Sequence, residues 1–406
     1  MTVGPCHASN GTQVHALPGI TAMEAPMDRT TELSLLKDVI GLMESRSFHL
    51  DDVQTGNDAA AYCAPERFLR ERRGILRKVP LMAAHVSELA GDDAFLRRQV
   101  AGLPLLFTRD GAGMYHAFLN VCRHRGTRLV DADTGCARRF TCPYHAWTWN
   151  NHGALVGVPH EGAGFPDIDR QRYSLTELSC VERHGWLWVS PQEGDGPDTD
   201  AFLTGLGAEL DWIGGPGLRV AAETVETRDV NWKTLVEGGL ESYHFKVAHR
   251  ATIGPYFHDN LSTYQTFGDH IRSVLPRVSL KAMATEPEDS WKIREHVNLL
   301  YTVFPLNQLL VQQDHTVWVQ LEPLGPARTR IALRTMAPEG EQSATHWERN
   351  HRITCTTLAE DFTIGESIQS GLESGANEFL TFGRFEGALH HFNESIAQAL
   401  RSAGPE

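Results

Sequence analysis

Residues 122–145 read CRHRGTRLVDADTGCARRFTCPYH: Cys122 and His124 form C-x-H, seventeen residues intervene, and Cys142 and His145 form C-x-x-H. Two thiolates and two imidazoles on paired short segments are a ligand set suited to a transition metal. A structural zinc site uses the same residue types at tetrahedral angles. Zinc ribbons and fingers usually draw both Cys from one loop and both His from another, whereas here each segment supplies one of each. Such a split lets the two sulfurs hold one ion and the two ring nitrogens another.

That division matches a Rieske 2Fe-2S centre, in which two His replace two Cys on one of the two irons. Gly126 permits tight backbone, Pro143 stiffens the second loop, and Trp147 and Trp149 are placed to shield a cluster. Neutral imidazoles raise the reduction potential to roughly −150 to +300 mV, against about −400 mV for a plant-type ferredoxin. The other five cysteines, Cys6, Cys63, Cys136, Cys180 and Cys355, lack partners at such spacing and read as solitary, inert thiols.

Outward from this stretch, short β-branched and aromatic runs punctuated by Gly, Pro and Asp fill the segment: Leu103–Arg109, Met114–Val121, Phe140–Thr141, Trp147–Trp149 and Gly185–Val189. They predict a small all-β domain over 74–195. The polar, acidic SPQEGDGPDTD at Ser190–Asp200 marks a boundary. Beyond it, strand-like runs at Leu299–Phe304, Leu309–Leu321 and Arg330–Met336 precede a helical stretch at Ser343–Leu372. The fold class expected is therefore α+β, with an antiparallel sheet packed by helices in a catalytic domain over 196–406. Residues 1–30 read as a mobile tail, and 31–73 as a helical segment packing on the larger domain, with helices at Thr31–Met43 and Glu66–Arg73.

A second chemical signal lies in NWKTLVEGGLESYHFKVAHR, Asn231–Arg250. At helical spacing His244 shares a stripe with Val236, Leu240 and Val247, which turns an imidazole inward. His249 lies five residues on, about 140° around a regular helix, so both rings reach one ion only if the helix breaks, and a break is expected near Lys246–Ala248. Two His with one carboxylate make the facial triad of non-haem Fe(II), which leaves positions open. In LAEDFTIGESIQSGL, Asp361 shares an apolar stripe with Ile364, Ile368 and Leu372, while Glu360 and Glu366 point elsewhere. A carboxylate on a buried face needs a partner or a metal, and Asp361 is the one so placed. Tyr256, Phe257, Tyr264, Phe267, Phe304 and Trp318 are candidates for an aromatic lining.

Composition narrows the classes. The 406 residues are 41% hydrophobic and 22% charged, ordinary for globular chains, and the net charge of −14 disfavours a polyanion partner, so nucleic acid is not expected. No run approaches the roughly 18 apolar residues of a spanning helix, and no basic segment and apolar run open the chain; a cytoplasmic protein without membrane contact is expected. Arg67–Lys78, with six basic residues and one acidic, is either a solvated face or a docking surface for an acidic redox partner.

Together the motifs resemble the catalytic α subunit of Rieske non-haem iron oxygenases, the aromatic-ring hydroxylating dioxygenases with related monooxygenases and demethylases. The likeness runs from about Glu66 to the C-terminus. It implies a helix-grip catalytic domain and one 2Fe-2S cluster on Cys122, Cys142, His124 and His145. It also implies one mononuclear Fe(II) on His244, His249 and Asp361. Electrons would come from NAD(P)H through a separate reductase or ferredoxin, O₂ and a small, aromatic substrate being the other reactants. Within a ring-shaped trimer, here a homotrimer, an acid bridges the two centres of adjacent subunits, and by position it is Glu241. That position is commonly Asp, and Glu is similar to carnitine-type oxygenases, so a quaternary-ammonium monooxygenase is the alternative. From another class, a non-catalytic redox or ligand-sensing protein would carry the Rieske module without a working second iron.

Overall fold

The computed structural model describes residues 27–192, 194, 196–340 and 343–404; most of the expected tail lies outside them. Within 27–30 the chain is already ordered: Met27 is buried, and the Asp28 carboxylate accepts the Thr31 N–H at 2.9 Å to cap the helix Arg29–Ser45. The described residues divide into two compact units, 77–202 and a larger one of 27–76 with 203–404.

The smaller unit is antiparallel β. A five-stranded sheet runs Glu177–Leu178, Tyr115–Leu119, Leu103–Arg109, Ala94–Val100, Thr134–Cys136, and two three-stranded sheets join it. One of these is the meander Arg139–Thr141, Thr148–Asn150, Leu155–Gly157. Phe95, Leu106, Phe118, Phe140, Trp147 and Trp149 share a core with Cys122 and Cys142, so both sulfurs stand on packed apolar ground. Cys136 is disulfide-bonded, which corrects its reading as a solitary thiol.

The larger unit is built on a seven-stranded antiparallel sheet in the order Leu218–Arg228, Arg328–Pro338, Thr316–Gly325, Asn307–Val311, Val297–Val303, His270–Pro276, Thr263–Phe267. Val297–Val303 is buried at every position, as a central strand covered on both faces must be. The expected single run Leu309–Leu321 is two strands, because the polar Gln312–His315 turns the chain between them. The 30-residue helix Ala344–Glu373, capped by Ser343, packs on the sheet and on the helix Trp232–Leu240, the helix-grip arrangement of an α+β fold. Among the described residues no helix is long and apolar enough to cross a membrane.

Candidate metal centres

In the smaller unit each Cys opens a tight turn. Cys122 N–H donates to Thr127 O at 2.7 Å and Gly126 N–H returns to Cys122 O at 2.9 Å, with Gly126 at φ 81°. The second loop repeats the device: Cys142 N–H donates to Trp147 O at 2.8 Å, Ala146 N–H donates to Cys142 O at 3.1 Å, and Ala146 has φ 58°. Asn120 fastens the first loop from behind, its Oδ1 accepting the Leu129 and Val130 N–H groups. The His124 and His145 rings lie 4.7 Å apart, and His124 stacks on Trp147 at 4.7 Å and 7°.

The ring nitrogens supply the test of fit. His124 Nδ1 and His145 Nδ1 are both buried without a hydrogen-bond partner. An orphaned buried polar atom is costly, and a lone pair on a metal removes that cost. Cys122 and Cys142, each 3% exposed, sit sulfur to sulfur; burial pushes the Cys122 thiol up, and Cys142 adds to it. Two buried thiols and two orphan imidazole nitrogens fit a 2Fe-2S centre.

In the larger unit the helix Trp232–Leu240 is anchored at its start. Asn231 Oδ1 accepts the Lys233 N–H at 2.9 Å, and the Lys233 ammonium donates to both oxygens of Glu71 at 2.8 Å, a fully buried pair from 162 residues away. Gly239 lets the sheet approach, since a Cβ there would meet Gln308 Nε2 at 2.7 Å. The helix then stops at Leu240, with Glu241 extended, and a short turn of helix resumes at Phe245–Ala248. One break therefore precedes His244, and a second ends the short turn at Ala248, within the expected Lys246–Ala248, before His249. The Glu241 carboxylate accepts the Tyr243 and His244 N–H groups, which replaces helical hydrogen bonds, and it leaves Val247 75% exposed, not on a buried stripe.

The breaks bring the rings together. The His244 and His249 centroids are 5.1 Å apart, and Asp361 Oδ1 lies 2.9 Å from His249 Nε2 and 3.5 Å from His244 Nε2. One ligand atom from each residue falls within 4.8 Å of the others. Each ring is turned by a second carboxylate: Glu241 Oε1 contacts His244 Nδ1, and Glu360 Oε2 lies 2.7 Å from His249 Nδ1 while accepting from Thr252 Oγ1 at 2.6 Å. A proton held at Nδ1 leaves the Nε2 lone pair facing Asp361, as metal-bound His requires. Three acceptors on one point, with His244 Nε2 buried and unbonded, fit a cation.

Electrostatics agrees. Burial pulls the His244 pKa down, but the neighbouring Asp361 and Glu241 carboxylates outweigh it and carry it to about 10. Burial likewise opposes charge on His249 and Asp361, yet their mutual hydrogen bonds raise the one and lower the other.

Glu360 corrects the expectation that it points away. The helix face carrying Asp361 is no apolar stripe of the core either: Leu372 is buried, but Ile364 and Ile368 are each 42% exposed and border a cavity. A larger cavity of about 450 Å³ meets His244, His249 and Asp361 and is lined by Phe245, Tyr256 and Phe257. Four of the aromatic candidates are used elsewhere. Tyr264 donates to Asp51, Phe267 lies under Arg272, Phe304 packs on Phe392, and Trp318 lies under Arg334 with Nε1 on Asn307. A further grouping in the smaller unit escaped the sequence: Asp110 Oδ2 stands 3.2 Å from His116 Nε2 and 3.4 Å from His152 Nδ1. Its other oxygen closes a turn through the Ala112 and Met114 N–H groups.

Comparison with known proteins bears on both units. Residues 79–181 match the Rieske [2Fe-2S] domain, and 217–402 match the ring hydroxylating alpha subunit (catalytic domain). The glycine betaine monooxygenase oxygenase subunit of Pseudomonas aeruginosa is 32% identical over 188 residues, 46% of this chain and 43% of that protein. The anthranilate 1,2-dioxygenase large subunit of Acinetobacter baylyi is 29% identical over 282 residues, 68% of this chain and 59% of that one. The chain thus spans less than two thirds of either relative. A quaternary ammonium Rieske monooxygenase solved with L-carnitine superimposes with a TM-score of 0.75 at 22% identity, covering 86% of this chain and 96% of that one; at that identity it shows the fold. With both domains matched and two ligand clusters formed, the chain belongs to the Rieske non-haem iron oxygenases, whose cofactors are a 2Fe-2S cluster and a mononuclear iron.

Proposed function

We propose that the chain is a terminal oxygenase component that uses O₂ and reductase-supplied electrons to hydroxylate or oxidatively demethylate a small organic substrate. The observation that carries this is the convergence of His244, His249 and Asp361 beside a cavity of substrate size. Cys122, His124, Cys142 and His145 would hold the cluster, and the triad would hold the iron. When bound, the two groups supply electron storage and oxygen activation.

The chain's own residues supply orientation. Glu241 and Glu360 keep a proton on each Nδ1 and so present each Nε2 to the metal. Phe245, Tyr256 and Phe257 hold the substrate against apolar walls and exclude water. In a trimer of this chain, Glu241 would carry the electron route from His145 of the partner subunit to His244. A quaternary-ammonium substrate is the second reading. Three aromatic rings on the cavity suit a methylated cation, and the glycine betaine and carnitine enzymes among its relatives act on such compounds.

The test is substrate-dependent O₂ uptake by iron-loaded protein with a surrogate reductase, followed by product mass. Uptake coupled to a hydroxylated or demethylated product is expected. A protein that reduces and reoxidises its cluster with no substrate-dependent uptake across aromatic and quaternary-ammonium panels contradicts the proposal.

A further inference from the structure

The cavity beside the triad is mostly apolar, yet one strong base lines it. Arg277 follows the strand His270–Pro276, and its backbone is fixed by its N–H donating to His296 O at 2.9 Å and by a bridge to Phe257. Its guanidinium donates from Nε at 3.0 Å and from Nη2 at 2.5 Å to one neutral acceptor, Asn298 Oδ1. Among the described residues no carboxylate pairs with it. Asp314, the acid whose charge reaches it, is already engaged: its Oδ1 accepts from His315 Nδ1 at 2.7 Å, and its Oδ2 lies 2.8 Å from His346 Nε2. His315, 4% exposed, lines the same cavity, and its Nε2 is buried without a partner.

A partly buried cation without an anion is costly, and burial lowers the Arg277 pKa accordingly. Asn298 occupies the Nε edge of the guanidinium and fixes its plane, which leaves the Nη1–Nη2 fork for a planar, two-oxygen anion. We propose that Arg277, held by Asn298, anchors a carboxylate of the substrate, so that the enzyme acts on small organic acids. The carboxylate sits on Arg277, and the apolar or methylated remainder fills the aromatic part of the cavity. The proposal rests on the reading of this cavity as the substrate site of an oxygenase.

The experiment measures binding to the iron-loaded holoenzyme by calorimetry, with Tm shifts as a second readout. It uses two pairs of probes: benzoate against benzamide, and glycine betaine against choline, which lacks the carboxylate. At least one acid should bind about tenfold or more tightly than its counterpart. Arg277→Gln should abolish that preference without weakening the counterpart, and Arg277→Lys should keep part of it. Without ligand, Arg277→Gln should melt no lower than wild type, since it removes an unmatched charge. Equal affinity within both pairs, no binding by either acid, or a preference that survives Arg277→Gln overturns the proposal. If Arg277→Gln does not fold, an Arg277→Lys protein that keeps the full wild-type preference for the acid over its counterpart, in affinity and in Tm shift, overturns it likewise. Because binding is read without turnover, acid preference in a protein lacking substrate-dependent O₂ uptake would remove the oxygenase reading and leave the anchor standing. Turnover without acid preference would do the reverse.

Discussion

The two ligand clusters are made in opposite ways. In the smaller unit all four candidates sit on two neighbouring turns, each with a left-handed residue four places after its Cys, and both imidazole Nδ1 atoms are left without a partner. In the larger unit both Nδ1 atoms are taken by carboxylates and the Nε2 atoms converge instead. Glu360 stands 111 residues from His249, and the helix leading to His244 is anchored by Glu71 from 162 residues away. The first cluster is local turn chemistry; the second depends on the whole domain. Disturbing the larger unit's scaffold should therefore cost the second centre first.

The sharpest break in that comparison is Asp361→Ala. It should abolish substrate-dependent O₂ uptake and remove the mononuclear iron, while the visible spectrum of the Rieske cluster stays unchanged. Next is Lys233→Met, which takes from the buried Glu71 its one fully buried cation and leaves Arg67 Nε, at 2.8 Å, as the charge still facing it. With Arg67 still paired to Glu71, it should destabilise the larger unit by about 3 kcal/mol in urea unfolding. Iron analysis should show the mononuclear metal depleted and acid-labile sulfide retained.

Glu237, on the same helix, gives a pH signature. Its buried carboxyl accepts from Tyr62 Oη at 2.6 Å and Asn393 Nδ2 at 2.8 Å. Burial, only partly offset by these donors, pushes its pKa up to about 7 from an ordinary value of 4.5. With the folded value above the unfolded one, its contribution is full below about pH 4.5 and is lost as pH rises through 7, by about 3 kcal/mol at pH 8. Glu237→Gln should flatten the fall in Tm between pH 5 and pH 8. The smallest effect belongs to Glu360→Gln, which keeps shape but weakens the hold on the His249 Nδ1 proton. Mononuclear iron affinity should drop about 10- to 100-fold by competition with a chelator, with no change at the cluster.

The same contrast explains what could be read in advance. Cys122, His124, Cys142 and His145 are legible because spacing within a turn fixes which side chains meet. His244, His249 and Asp361 could be named by residue type and helical stripe, and the helix does end at Ala248, but an earlier break at Glu241 is not legible there. Periodicity does not reveal that Glu241 caps the helix with its own carboxylate. Glu360 was missed because a stripe analysis assumes that a helix faces only core, whereas this one faces a site. Two adjacent acids on one helix, Glu360 and Asp361, were the available signal. Tyr256 and Phe257 reach the cavity, but Tyr264, Phe267, Phe304 and Trp318 do not, since alternation along a strand leaves open which face of the sheet holds the pocket. Nothing in the sequence around Arg277 announces a cation without a partner; it appears only when Asp314 is seen to be engaged by two histidines.

Metal content per chain tests the two-centre account most directly. Iron and acid-labile sulfide should be counted on the loaded wild type and on Asp361→Ala. Three irons with two sulfides in the wild type, falling to two irons with sulfide unchanged in the variant, is the predicted result. Two irons with two sulfides in both proteins, or zinc without sulfide, would contradict it.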